Sequence, residues 1–256
     1  MLRKPIFAAN WKMYKTKDDA VSFLYQVNLK VPNNVETIIF APYLFLRSLT
    51  KRAEKVSIGA QNMHYLTEGA FTGEVSPLML KTAGVDYVLL GHSERRKYFN
   101  ESDEDVNLKI KASLEMGLNF IACLGESYEE RNKGLTNKVL LDSLKGMLNG
   151  IKDTEADKII LAYEPIWAIG SNKSATPIQI NDACKYLREQ IKLLYNEDIA
   201  NKVRILYGGS VNENNIEDII ELEDVDGVLV GSASLDHNKF LKMVNIISDV
   251  YKNKAK

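Results

Sequence analysis

The stretch Ile159-Ile160-Leu161-Ala162-Tyr163-Glu164-Pro165-Ile166-Trp167-Ala168-Ile169-Gly170 sets the terms for the whole chain. Its first five residues form an apolar run rich in strand formers and too short for a helix. A single carboxylate, Glu164, stands where the run stops. Pro165 keeps the residue before it out of the helical region, so Glu164 is expected in extended backbone at a strand terminus. The segment Pro165, Ile166, Trp167, Ala168, Ile169, Gly170, Ser171, Asn172, Lys173, Ser174, Ala175 then reads as a loop. A surface loop carrying Trp and two Ile needs something for those side chains to close onto. A base at a strand end beside a hydrophobic flap is the anatomy of a site that excludes water.

Working outward, the same kind of run recurs along the chain. Ile6-Phe7-Ala8-Ala9, Thr37-Ile38-Ile39-Phe40-Ala41, Val56-Ser57-Ile58-Gly59-Ala60 and Tyr87-Val88-Leu89-Leu90-Gly91 precede it. Asn119-Phe120-Ile121-Ala122-Cys123 lies just before it, and Val203-Arg204-Ile205-Leu206-Tyr207 and Gly227-Val228-Leu229-Val230-Gly231 follow. Eight runs in 256 residues leave roughly 30 residues for each, the size of one βα unit.

Helix signals fill the gaps. Ser76-Pro77 reads as N-cap and first helical residue, with Gly84 closing that helix, and Thr176-Pro177 opens residues 178–195 in the same way. Ser102 precedes the acidic turn Asp103-Glu104-Asp105, with Gly117 ending the helix, and Asn212 is expected to cap residues 213–222. Strands buried on both faces and alternating with helices mean a parallel sheet. Eight such units favour a closed barrel, whereas an open doubly wound sheet would carry a GxGxxG turn after its first strand, and none is present. The expected fold is therefore α/β, a single (β/α)8 barrel domain over residues 1–256.

Composition narrows the function classes. The chain is 45% hydrophobic and 26% charged with a formal net charge of -1. That balance gives no electrostatic reason to expect nucleic acid or an acidic membrane as partner. Its basic cluster is the tail Lys252-Asn253-Lys254-Ala255-Lys256, read here as frayed. Cys123 and Cys184 form no CxxC, which suits a reducing compartment. The start, Met1-Leu2-Arg3-Lys4-Pro5, shows no signal-peptide core, and no stretch reaches membrane-span length, so a cytoplasmic location is expected.

In a barrel the chemistry gathers at the C-terminal ends of the strands. The exits here are Asn10-Trp11-Lys12, Gln61-Asn62, His92-Ser93-Glu94, Glu164, Gly208-Gly209-Ser210 and Gly231-Ser232-Ala233-Ser234. Most lysines on such a chain are solvated, but Lys12 directly follows the first strand. His92 precedes Ser93-Glu94-Arg95-Arg96, which reads as a helix start. A positive helix end disfavours imidazolium, so a neutral, donating imidazole is expected. The glycine turns after strands seven and eight stand where barrels bind phosphate through backbone N–H groups. Cys123 reads as a small packing residue, Trp11 as a packing aromatic, and His64 and His237 as surface residues. No His, Cys or Asp cluster has metal-ligand spacing, so neither metal nor cofactor is expected.

Assembled, these motifs resemble the triosephosphate isomerase family from end to end. The resemblance is carried by Ala9-Asn10-Trp11-Lys12-Met13, Gly59-Ala60-Gln61-Asn62, Gly69-Ala70-Phe71-Thr72-Gly73-Glu74 and Leu90-Gly91-His92-Ser93-Glu94-Arg95-Arg96. It continues through the stretch around Glu164, Tyr207-Gly208-Gly209-Ser210-Val211 and Leu229-Val230-Gly231-Ser232-Ala233-Ser234-Leu235. It implies interconversion of dihydroxyacetone phosphate and D-glyceraldehyde 3-phosphate, a glycolytic isomerisation that needs no redox cofactor. It further implies Glu164 as base, His92 as electrophile, and Lys12 and Asn10 as stabilisers of the enediolate. Backbone N–H groups of Gly170, Ser210, Gly231 and Ser232 would hold the phosphate. The family commonly has glycine at positions 172 and 232, where this chain has Asn and Ser. Two alternatives stand beside it: another phosphate-binding barrel enzyme, such as a Schiff-base aldolase using Lys12, and a binding protein with a degenerate site. The second predicts gaps in the constellation, yet Asn10, Lys12, His92 and Glu164 are all present.

Between the third strand and the Ser76 cap runs a long excursion, residues 63–75, carrying Tyr65, Leu66, Phe71 and Val75. Either the loop folds onto its own barrel, or as a protruding apolar loop it needs a partner surface. The resemblance implies a homodimer in which Thr72 approaches the other copy's Asn10-Trp11-Lys12-Met13 and Glu74 approaches its Arg95.

Overall fold

The computed structural model describes residues 3–169 and 174–255. Gly170, Ser171, Asn172 and Lys173, which the sequence places in the flap and Gly170 also at the phosphate, lie outside the described residues.

The chain alternates between strand and helix. It begins with β1 (Ile6–Asn10), α1 (Lys17–Val27), β2 (Glu36–Ala41), α2 (Tyr43–Thr50), β3 (Ser57–Ala60), α3 (Pro77–Thr82) and β4 (Tyr87–Leu90). There follow α4 (Ser93–Phe99), α5 (Asp103–Met116), β5 (Asn119–Leu124), α6 (Tyr128–Asn132), α7 (Thr136–Leu148), α8 (Asp153–Ala156) and β6 (Ile160–Tyr163). The last part holds α9 (Pro177–Leu194), α10 (Glu197–Lys202), β7 (Arg204–Tyr207), α11 (Ile216–Ile220), β8 (Gly227–Val230) and α12 (His237–Lys254). The strands pair in parallel in chain order, and β8 closes on β1 through Ile6↔Gly227, Phe7↔Val228, Ala8↔Leu229 and Ala9↔Val230.

Alternation along each strand builds two cores. Ile6, Ala8, Ile38, Phe40, Tyr87, Leu89, Ile121, Cys123, Ile160, Ala162, Leu206 and Leu229 fill the barrel interior. Their neighbours, such as Phe7, Ala9, Ile39, Val88 and Leu90, point outward into the layer under the helices. Burial on both faces is why the runs read as apolar without alternation. With its interior packed, the barrel leaves only its rim for chemistry.

The helix starts follow from local capping. Ser76 Oγ accepts from Met79 N–H, and Ser102 and Thr176 form reciprocal capping boxes with Asp105 and Gln179. Gly117 ends α5 in left-handed backbone at φ 66°.

Two expectations are corrected. Asn212 does not cap a helix at residue 213: its Oδ1 accepts from Asn214 N–H at 2.9 Å, its own N–H donates to Asn215 Oδ1 at 2.8 Å, and α11 begins only at Ile216. Asn side chains bonded to nearby backbone stabilise a turn in competition with helix. The basic tail is helical through Lys254, not frayed. Lys254 Nζ donates to the carbonyls of Ile220 at 2.9 Å and Leu222 at 3.3 Å, tying the end of α12 to the end of α11.

Candidate active site

Glu164 is the first residue past β6, and its N–H donates to Leu124 O at 2.8 Å, which extends the ladder by one residue and holds the carboxylate at the rim. The side chain is 2% exposed. It lies against Gly208, where an added Cβ would stand 2.9 Å from Glu164 Cγ. A glycine is therefore required at the β7 exit for the carboxylate to lie in this position.

His92 comes from the exit of β4, two strands round the barrel from β6. Gly91, left-handed at φ 68°, turns the chain out of β4, and His92 becomes the N-cap of α4. Its Nδ1 accepts from Glu94 N–H at 3.2 Å, which leaves Nε2 as the nitrogen free to donate. Nε2 faces Glu164 Oε1 at 3.1 Å, while Glu164 Oε2 accepts from Ser93 N–H at 3.0 Å. The ring is thus oriented by the cap, with Nε2 turned toward Glu164.

Lys12 completes the triangle with a strained backbone, φ 50°, in the left-handed region. Asn10 Oδ1 accepts its N–H at 3.0 Å and Gln61 Nε2 donates to its carbonyl at 2.8 Å. Such strain persists only where the surroundings over-determine it. Lys12 Nζ pairs with Glu94 Oε1 at 2.6 Å. A Cβ placed on Gly231 would stand 4.0 Å from that ammonium, so the cation reaches the turn after β8.

That turn is a single 3₁₀ segment, Ser232–Leu235, starting from Gly231 and closed by Ser234 N–H donating to Gly231 O at 2.9 Å. Ser232 is outside the left-handed region, so serine in place of the family's glycine adds no backbone strain. Ser210 lies after β7, its carbonyl accepting from Asn215 Nδ2 at 2.9 Å. Asn10, Lys12, His92, Glu164, Ile169, Ser210, Gly231 and Ser232 share one cavity of about 510 Å³.

Residues 5–247 match a sequence model described as triosephosphate isomerase. The chain belongs to the triosephosphate isomerase family. It is 48% identical to the triosephosphate isomerase of Carboxydothermus hydrogenoformans over 248 residues, covering 95% of this chain and 98% of that protein. The enzymes of that name from Lactobacillus acidophilus and Lactobacillus delbrueckii subsp. bulgaricus are each 45% identical over 249 residues, 96% of this chain and 99% of theirs. Membership sets aside the Schiff-base aldolase reading of Lys12.

In this isomerase the segment that follows Glu164, as far as Ile169, is anchored on a carboxylate the sequence reading passed over. Pro165 is buried, Ile166–Ala168 form a 3₁₀ turn, and Trp167 Nε1 donates to Glu126 Oε1 at 3.1 Å. The same oxygen accepts from Tyr163 and Arg131, and the Arg131 guanidinium lies 5.2 Å from the Trp167 ring centre. Ile169 faces the cavity, and beyond the undescribed residues Ser174 is exposed while Ala175 is buried. Burial pushes the Tyr207 phenol up to about 12, offset in part by the Ala175 backbone. Glu126 follows Leu124-Gly125 at the β5 exit, so strand-end reasoning could have found it. Glu94 was likewise visible two residues after His92, but its pairing with Lys12 was not.

Cys123 lies inside the barrel, where burial, followed by the Glu164 charge, pushes its thiol well above the ordinary range. It is a packing residue there. His64 and His237, read as surface residues, are partly exposed and each lies against aromatic neighbours. His64 stacks with Tyr65 and Phe71 at 4.4 and 4.2 Å between ring centres, and His237 opens α12 with its ring 6.4 Å from Phe23. Thr72 and Glu74 stand exposed on a loop pinned at its base by His64 N–H donating to Val75 O at 2.8 Å. Beside the main cavity a second one of about 300 Å³ is lined by Lys12, Met13, Tyr43, Gln61, Arg95 and Phe99, among others. Among the described residues no helix is long and apolar enough to cross a membrane.

Proposed function

We propose that this isomerase interconverts dihydroxyacetone phosphate and D-glyceraldehyde 3-phosphate through an enediolate formed between Glu164, His92 and Lys12. The observation that carries the reading is the Glu164–His92 contact of 3.1 Å inside the rim cavity. A substrate inserted between the two groups frees both at once. Glu164 Oε1 is released to take a proton from C1, and the electron pair of that C–H bond becomes the C1–C2 double bond. Negative charge moves to the oxygen on C2, where the His92 Nε2–H and the Lys12 ammonium stabilise it. Lys12 has three N–H bonds, so one can hold Glu94 while another meets the substrate. Glu164 returns the proton to C2, His92 relays protons between the two oxygens, and the aldehyde forms at C1. Asn10 supports the backbone of Lys12 and lines the same wall.

Backbone N–H groups of Gly231, Ser232 and Ser210, with Gly170 of the flap, hold the phosphate. The flap, Pro165 to Ala175, closes over the enediolate and keeps out the water that would favour phosphate elimination. No metal or cofactor takes part. A coupled assay of D-glyceraldehyde 3-phosphate conversion, run with deuterium uptake at C1 of dihydroxyacetone phosphate, tests this. Turnover without any solvent exchange into either triose would argue against a carboxylate shuttle.

The second part of the reading is a homodimer. The cavity lined by Met13 and Arg95 adjoins the catalytic one and shares Asn10, Lys12, His92 and Glu94 with it. Met13 is 95% exposed and Phe71 44% in the single chain, apolar area that a second copy would cover. Thr72 of each copy then packs beside the Lys12 segment of the other, and Glu74 pairs with Arg95 across the two-fold. Sedimentation is expected to give a dimer. A variant with residues 67–73 shortened is expected to be monomeric and to lose most activity, and a fully active monomer would sink the idea. The small net charge of -1 gives no electrostatic reason for nucleic acid or an acidic membrane as partner, and two cysteines without a CxxC suit a reducing, cytoplasmic compartment.

A further inference from the structure

Lys15 stands three residues after Lys12 and is the next left-handed non-glycine residue along the chain, at φ 70°. Its Nζ donates to the carbonyl of Leu235 at 3.0 Å, across 220 residues of sequence. Leu235 is the last residue of the turn Ser232–Leu235 that begins at the catalytic cavity. The ammonium is held from below by two rings, 4.6 Å from the Phe23 centre and 5.3 Å from that of Trp11. Those rings meet edge to face at 5.1 Å, and Phe23 meets Phe240 of α12 in the same way at 5.3 Å. The charges facing Lys15 are the carboxylates of Asp19 on α1 and Asp236 at the start of α12. Burial pulls the lysine below its ordinary pKa, and both carboxylates oppose that pull.

A single 3₁₀ turn has little stability of its own and needs an anchor at its far end. A cation on its last carbonyl supplies one. Glycine or asparagine would occupy left-handed backbone at position 15 with less strain, so the lysine is kept there against local preference.

We propose that Lys15 is a positioning residue that ties the phosphate turn to the loop carrying Lys12, so that the cation and the backbone donors meet the phosphate as one unit. The proposal rests on the reading of Gly231 and Ser232 as phosphate donors. It differs from that reading in assigning the geometry of the turn to a side chain that touches no substrate.

The test compares the full-length wild-type protein with Lys15→Asn, which tolerates the left-handed backbone, and with Lys15→Arg, which keeps the cation. Inorganic phosphate is titrated by calorimetry, and kinetics are measured with D-glyceraldehyde 3-phosphate and with D-glyceraldehyde, which has no phosphate. A full ångström of misplacement costs on the order of a hundredfold, and a loosened anchor should cost about tenfold. Lys15→Asn is therefore expected to weaken phosphate binding by about tenfold and to raise KM for the phosphorylated substrate. Its slow turnover of D-glyceraldehyde should match the wild type, and Lys15→Arg should restore phosphate affinity. Equal phosphate binding by wild type and Lys15→Asn overturns the role of Lys15 alone. So does a parallel loss on both substrates, which marks general disorder of the site. Failure of the wild type to bind phosphate overturns the phosphate reading of the turn, and the proposal with it.

Discussion

Replacing Lys12 by methionine is expected to reduce kcat/KM by about a thousandfold or more while the protein stays folded. Losing one preorganised donor to a developing oxyanion costs on the order of 10²–10³ in rate. Lys12 supplies a full charge, and its ammonium also reaches the turn at Gly231, so both kcat and KM should suffer. The fold should survive because the side chain lies in the rim cavity, outside both cores. Methionine is close in length and meets the same left-handed backbone, which Asn10 and Gln61 continue to hold. Steady-state kinetics beside circular dichroism and a melting curve decide the matter. Near-normal kcat/KM in a folded Lys12→Met protein would return Lys12 to the class of solvated lysines.

Shortening the base gives the second large effect. Glu164→Asp is expected to lower kcat about a hundredfold with little change in KM, since about 1 Å of misplacement costs that much. The wall behind Glu164 is closed: its Cγ packs on Gly208, and its oxygens are set by His92 Nε2 and Ser93 N–H. Aspartate starts from the same backbone and cannot bring its oxygens as far into the cavity. The proposed phosphate donors at Ser210, Gly231 and Ser232 stand on loops other than that of Glu164 and should stay in place, which is why binding should change less than turnover. Unchanged turnover in the aspartate variant would remove Glu164 from the role of base.

The barrel was legible before any coordinates because its signals are local. Eight apolar runs follow from burial on both strand faces, and Ser76, Ser102 and Thr176 mark helix starts through bonds that span three residues. Asn212 and the C-terminal tail misled for complementary reasons. The Asn212 side chain found a closer partner in a turn, and Lys254 found carbonyls on a different helix. Asn10, Lys12, His92 and Glu164 were also legible, since a parallel barrel must bring all its strand exits to one rim.

Other features had no local signal. The pairing of Lys12 with Glu94 crosses 82 residues, that of Trp167 with Glu126 crosses 41, and that of Lys15 with Leu235 crosses 220. Apolar runs and caps specify which segments become strands and helices, because those forces act between neighbours in the chain. Whether an ammonium ends 2.6 Å from one carboxylate instead of another depends on barrel closure, on register, and on left-handed turns at Lys12 and Lys15. Polar contacts weaken steeply over distances smaller than one residue step, so the candidate residues could be read from the chain as sharing one rim while their partners emerged only once the barrel had closed.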